Sequence, residues 1–131
     1  MIEVPGLGPV DDTLTSDTVV IRGDIMIAAD LTTRATNDQR RLGYYGLSVV
    51  AVLKPLLTVA ETVAYFNLAF PLIQLSTVGR IRAAGFSIER TFRWPHCTID
   101  VGADPSESVM LRLIDAFDPA EPRPESRFLE T

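Results

Sequence analysis

The stretch from Tyr44 to Leu53 (YYGLSVVAVL) constrains this chain more than any other. Gly43 precedes it and Lys54-Pro55 ends it. Its near-continuous apolar character and its paired valines describe a strand buried on both faces, the natural centre of a sheet. With 131 residues there is length for one domain and one core. Apolar residues at 47% and charged residues at 22% describe an ordinary globular chain.

Around that strand the pattern alternates between strand and helix. Thr18 to Arg22 (TVVIR) is a β-branched run, a first strand ended by Gly23-Asp24. Asp24 is placed to cap a helix reaching about Arg41, with Ala28, Leu31, Ala35 and Leu42 on one stripe. Thr58-Val59-Ala60-Glu61 is a capping-box pattern opening a second helix, which Pro71 stops. Ser76 reads as the cap of a third helix, closed by Gly85. Phe86 to Phe92 and His96 to Val101 alternate apolar and polar residues and read as a hairpin, with Arg93-Trp94-Pro95 its turn. Ser106 caps a last helix carrying Val109, Leu113 and Phe117. The expected order is β-α-β-α-α-β-β-α, an α+β domain over residues 18–117 with a small mixed sheet of about four strands. Residues 1–17 read as an irregular acidic arm, and residues 118–131, with three prolines and four carboxylates, as an acidic, largely disordered tail.

Charge is divided unevenly. Residues 1–33 carry one Arg against six carboxylates, residues 34–93 eight Lys/Arg against three, and residues 94–131 three Arg against eight. Eleven of the twelve cations are arginine, whose planar fork suits carboxylate and phosphate partners. Arg22, Arg80, Arg82, Arg90 and Arg93 are therefore candidate anion ligands. The overall charge of −5 argues against non-specific nucleic-acid binding, which depends on neutralising phosphates.

Few residues can carry chemistry. His96 is the only histidine and Cys97 the only cysteine, so a structural zinc site is not expected, nor an intrachain disulfide. No phosphate-cradling Gly-Lys-Ser/Thr is present and no cofactor is expected. His96 and Thr98 are two apart on a strand and face the same way, with Arg90 and Arg93 nearby. Such a group suits a phosphodiester, the imidazole acting as general acid or base while Thr98 and the arginines hold the phosphate. His96-Cys97-Thr98 resembles half of the paired His-x-Thr motif of the two-histidine phosphoesterases, of which this chain has a single copy. Arg22 on the first strand and Ser48 on the second resemble mono-ADP-ribosyltransferases, where such residues contact NAD; the paired Ser-Thr-Ser is Leu47-Ser48-Val49 here.

Two classes of function follow. The acidic arm and tail favour an interaction or regulatory module with a protein partner or a second copy of the chain, of the kind found in two-gene toxin–antitoxin systems. The alternative is a small enzyme acting on RNA or a nucleotide through His96, with an ADP-ribosyltransferase-like NAD-binding domain as a further variant. The lone cysteine fits a reducing, cytoplasmic compartment. The N-terminal MIEVPGLGPVDD does not read as a signal peptide, and Leu68 to Leu75 is too short and broken for a membrane span.

Overall fold

The computed structural model describes residues 1–93 and 95–124. The elements in chain order are β1 (Ile2–Val4), β2 (Gly8–Val10), β3 (Val19–Gly23), α1 (Ala28–Leu42), β4 (Gly46–Ala51), α2 (Val59–Tyr65), β5 (Leu72–Thr77), α3 (Val78–Ala83), β6 (Ser87–Arg90), β7 (His96–Asp100), α4 (Glu107–Ile114) and β8 (Glu121–Pro122). The class is α+β. The main sheet has six strands in the order β6-β7-β4-β3-β5-β8, and β1 pairs with β2 in a separate hairpin.

The run singled out at the start forms β4, flanked by β7 and β3 inside the sheet. Its alternate residues Leu47, Val49 and Ala51 enter the main core with Val20, Cys97 and Ile99. Leu31 and Ala35 of α1, Val78 and Ile81 of α3, and Met110 and Leu113 of α4 close that core. On the opposite face, Ile21 and Ile73 pack with Val63 of α2 in a smaller cluster. Ser48 and Val50 remain only half-buried there.

Local chemistry sets the helix ends. Thr58 Oγ1 accepts from the amide of Glu61 at 3.1 Å and donates to its carboxylate at 2.8 Å, so the capping box forms. Gly43 closes α1 at φ 80°. Ser106 caps α4 through the amide of Val109.

The expected sheet is corrected in size and direction. It has six strands instead of about four, and every pairing is antiparallel, so no parallel crossover exists. The missed strands are β5 and β8; in β5, Gln74 interrupts the apolar run and Ser76 reads as a cap, yet both are buried. Gln74 Oε1 accepts from the amide of Met26 at 2.6 Å and its Nε2 donates to the Asp118 carbonyl at 2.9 Å. Ser76 Oγ donates to the Ala116 carbonyl at 2.6 Å. Burial is tolerated because each polar group finds a distant main-chain partner. The cap of α3 is Thr77, not Ser76.

Four further expectations shift. Asp24 caps no helix; α1 starts after Ile27 with no side-chain cap, and Asp24 sits at φ 71° before it. Helix α2 ends at Tyr65, short of Pro71. The arm contains the β1–β2 hairpin, with Val4 and Val10 in the core. At the other end β8 pairs with β5, and Arg123 donates through its amide to Pro71 and through Nη1 to the Leu68 carbonyl at 2.8 Å. The remainder of the expected tail, residues 125–131, and Trp94 of the expected turn lie outside the described residues. Among the described residues no helix is long and apolar enough to cross a membrane.

Candidate functional site

The sheet contains a fork. β3 and β4 pair only at Val20↔Ala51 and Ile21↔Val50. Beyond those positions β3 stays with β5 as far as Gly23↔Ile73, while β4 stays with β7 as far as Gly46↔Asp100. Helix α1 links the free end of β3 to the free end of β4. The fork opens into a cleft of about 690 Å³ whose lining includes Arg22, Arg34, Asp38, Ser48, Phe70 and His96.

Arg22 occupies the fork itself. Its Nη1 donates to the main-chain oxygen of Ser48 at 2.7 Å, a carbonyl close to where the β3–β4 ladder has ended. Among the described residues no carboxylate stands within ion-pair distance of this largely buried guanidinium. Burial lowers its pKa, Arg34 adds to the effect, and Asp38 and Asp24 oppose it. Arg34 has no ion pair among the described residues either. Asp24 and Asp30 also line the cleft, so its wall is mixed in charge around a cationic centre.

His96 reaches the cleft from β7, opposite Val50 in the register. Its Nδ1 lies 3.0 Å from Thr91 Oγ1. The edge of its ring meets Phe92, with centroids 5.2 Å apart, and the Arg41 guanidinium covers Phe92 at 4.9 Å. Partial burial lowers the imidazole pKa, the Thr91 carbonyl raises it, and the Arg41 charge lowers it. Phe92 is 62% exposed at φ 54°, a left-handed conformation unusual for an aromatic residue.

The expected phosphate group is only partly assembled. Thr98 shares the face of His96, but it is 1% exposed and its hydroxyl lies 2.6 Å from Thr91 Oγ1. It therefore supports a neighbour and does not meet a ligand. Arg90 pairs with Cys97 in the register, on the other face from His96, and is ion-paired with Asp12 of the arm. Arg80 is ion-paired with Asp118, and Arg82 and Arg93 are exposed outside the cleft. Of the five arginines singled out, the cleft holds Arg22 alone. Cys97 is buried in the main core, which pushes its thiol up to about 12. Among the described residues no cluster of His, Cys, Asp and Glu could hold a metal ion.

The site residues that sequence reasoning did not single out are Arg34 and Asp38 of the cleft wall and Thr91 behind His96. Asp30, Arg34 and Asp38 recur every four residues along α1, which sets a charged stripe on one helix face. Thr91 had no comparable mark. Compared with known protein families, curated proteins and solved structures, the chain matches none.

Proposed function

We propose that this protein binds a phosphate-bearing small molecule, a nucleotide, in the fork between β3 and β4, with His96 as the acid–base group on its wall. The observation that carries the reading is Arg22. A largely buried guanidinium that, among the described residues, has one hydrogen bond to a neutral carbonyl and no carboxylate within ion-pair distance is well matched to an anion. Arg34, which has no ion pair among the described residues, supplies a second cation on the same wall. The cleft volume falls within the roughly 300–1,000 Å³ typical of small-molecule sites. Asn37, Asp30 and Asp38 offer acceptors for sugar hydroxyls and amino groups, and Phe70 and Leu68 an apolar wall.

NAD belongs to the same ligand class. The Arg22–Ser48 pair that resembles mono-ADP-ribosyltransferases meets in this cleft, although Arg22 bonds the main chain of Ser48 and not its hydroxyl. The lone, buried Cys97 accords with a cytoplasmic setting. The docking reading rested on the acidic tail and the acidic arm. In the arm, Asp12 already accepts from the N-terminal ammonium at 2.9 Å and from Arg90, so this carboxylate is engaged within the chain.

Thermal melting with AMP, ADP, NAD and pyrophosphate tests the reading. A ligand at about one hundred times its Kd stabilises the folded state by about 2.7 kcal/mol, a rise of several degrees. The rise should vanish in Arg22→Gln and persist in Arg82→Gln. No shift with any of the four compounds, or a shift that survives Arg22→Gln, overturns it.

A further inference from the structure

A row of hydroxyls stands behind the imidazole of the cleft. His96 Nδ1 lies 3.0 Å from Thr91 Oγ1 and 3.3 Å from the Thr91 carbonyl oxygen. A carbonyl oxygen can only accept, so both contacts are satisfied together only when Nδ1 carries the proton. Thr91 Oγ1 is in turn 2.6 Å from Thr98 Oγ1. Thr98 is buried, so its hydroxyl must be satisfied inside the protein. One direction runs through the whole row. Nδ1–H donates to Thr91, and the Thr91 hydroxyl, accepting from the ring, donates in turn to Thr98.

The second ring nitrogen, Nε2, has no hydrogen bond among the described residues, and the ring to which it belongs lines the cleft. We propose that Thr91 is a positioning residue that holds His96 as the Nδ1–H tautomer, which makes Nε2 the hydrogen-bond and proton acceptor of the Arg22 cleft. The role given to Nε2 rests on the cleft being the binding site; the tautomer itself does not. The opposite tautomer would present an N–H and favour a phosphate oxygen. A bare Nε2 lone pair instead favours a donor, so the ligand group beside His96 is a hydroxyl of a phosphorylated sugar, while its phosphate goes to Arg22. Arg41, stacked on the Phe92 ring that meets His96, opposes protonation of the ring and keeps the lone pair free. Arg34, Asp38, Asp30 and Asp24 are the other charged groups of the cleft wall besides Arg22.

Two-bond 1H–15N NMR of the full-length, 15N-labelled protein reads this directly, because the chain has a single histidine. Above the imidazole's titration, Nε2 should show the shift of an unprotonated, pyridine-like nitrogen and Nδ1 that of a protonated, pyrrole-like one. Thr91→Val removes the hydroxyl at similar volume and should move both nitrogens toward averaged values; Thr91→Ser should restore the original pattern. Added AMP should move Nε2 more than Nδ1. A pyrrole-like Nε2 in the unaltered protein overturns the proposal whether or not either variant folds. So does an unchanged pattern in folded Thr91→Val, or an unmoved Nε2 when AMP stabilises the protein through Arg22. A failure of AMP to stabilise the protein counts against the binding reading and leaves the tautomer pattern as an independent result.

Discussion

The guanidinium of Arg22 is hydrogen-bonded at 2.7 Å to the main-chain oxygen of Ser48, across the place where β3 and β4 part. A side chain there does what the next rung of the ladder would have done. A main-chain acceptor near a sheet interior needs a donor, and a fork removes the usual one. Among the described residues the other N–H groups of the guanidinium have no hydrogen bond, which links the integrity of the fork to what the cleft can bind.

Arg22→Met should therefore separate stability from binding. The orphaned Ser48 carbonyl costs about 1–3 kcal/mol, and removal of a desolvated charge offsets part of it. Urea unfolding should show a net loss of at most about 2 kcal/mol, while stabilisation by nucleotides or pyrophosphate disappears.

The two valines at the middle of β4 should respond unequally to charge. Val49 is 2% exposed in the main core, whereas Val50 is half-buried on the cleft face opposite His96. Val49→Asp buries an unpaired carboxylate, a cost of several kcal/mol comparable to the stability of a small domain. Circular dichroism should show Val49→Asp unfolded and Val50→Asp folded with a lowered melting temperature.

His96 should titrate below its ordinary value of 6.5 in the folded protein, because burial and the Arg41 charge disfavour the imidazolium. A depressed folded value means the unfolded chain binds the proton more readily. The stability from this group is present above about pH 6.5 and is lost as pH falls through the folded midpoint. NMR titration should give that midpoint, and Arg41→Ala should raise it.

Cys97 should be silent toward thiol reagents in the native state, since burial holds its pKa at about 12 and little thiolate exists near neutrality. Denaturant should release one reactive thiol per chain. The sign of the linkage is opposite to that of His96. The contribution is present below the unfolded thiol's value of about 8.5 and is lost as pH rises toward 12.

Gly23 should tolerate no side chain while Phe70 is present. A Cβ at this position would overlap the Phe70 ring, which forms part of the cleft wall. Gly23→Ala should cost about 1–3 kcal/mol by overpacking. A double-mutant cycle with Phe70→Ala should recover much of it, with a coupling of at least about 0.5 kcal/mol.

Features whose partners lie within a few residues were legible in the chain itself. The Thr58–Glu61 capping box, the left-handed Gly43, the Ser106 cap and the β6–β7 hairpin are set by contacts spanning a turn or a tight loop. The central strand was legible too, from its continuous apolar run, but the expected burial on both faces was not met: Leu47, Val49 and Ala51 are buried in the core, whereas Ser48 and Val50 are half-buried at the cleft. Strand β5 was not. Gln74 and Ser76 are polar, and what makes them acceptable inside is a set of main-chain groups 40 to 48 residues away. The candidate site divides the same way. Alternation along β7 put His96 and Thr98 on one face, but whether a hydroxyl there meets a ligand or a neighbour depends on Thr91 across the hairpin. Arg22 carried the right charge in the right strand, yet its role comes from the parting of β3 and β4, which depends on how α1 and the flanking strands pack. Sequence determines which residues prefer helix, strand, cap or turn, because those preferences act over short separations. Only the tertiary structure decides which buried polar groups meet and where a ladder ends, because those outcomes depend on partners that chain distance does not reveal.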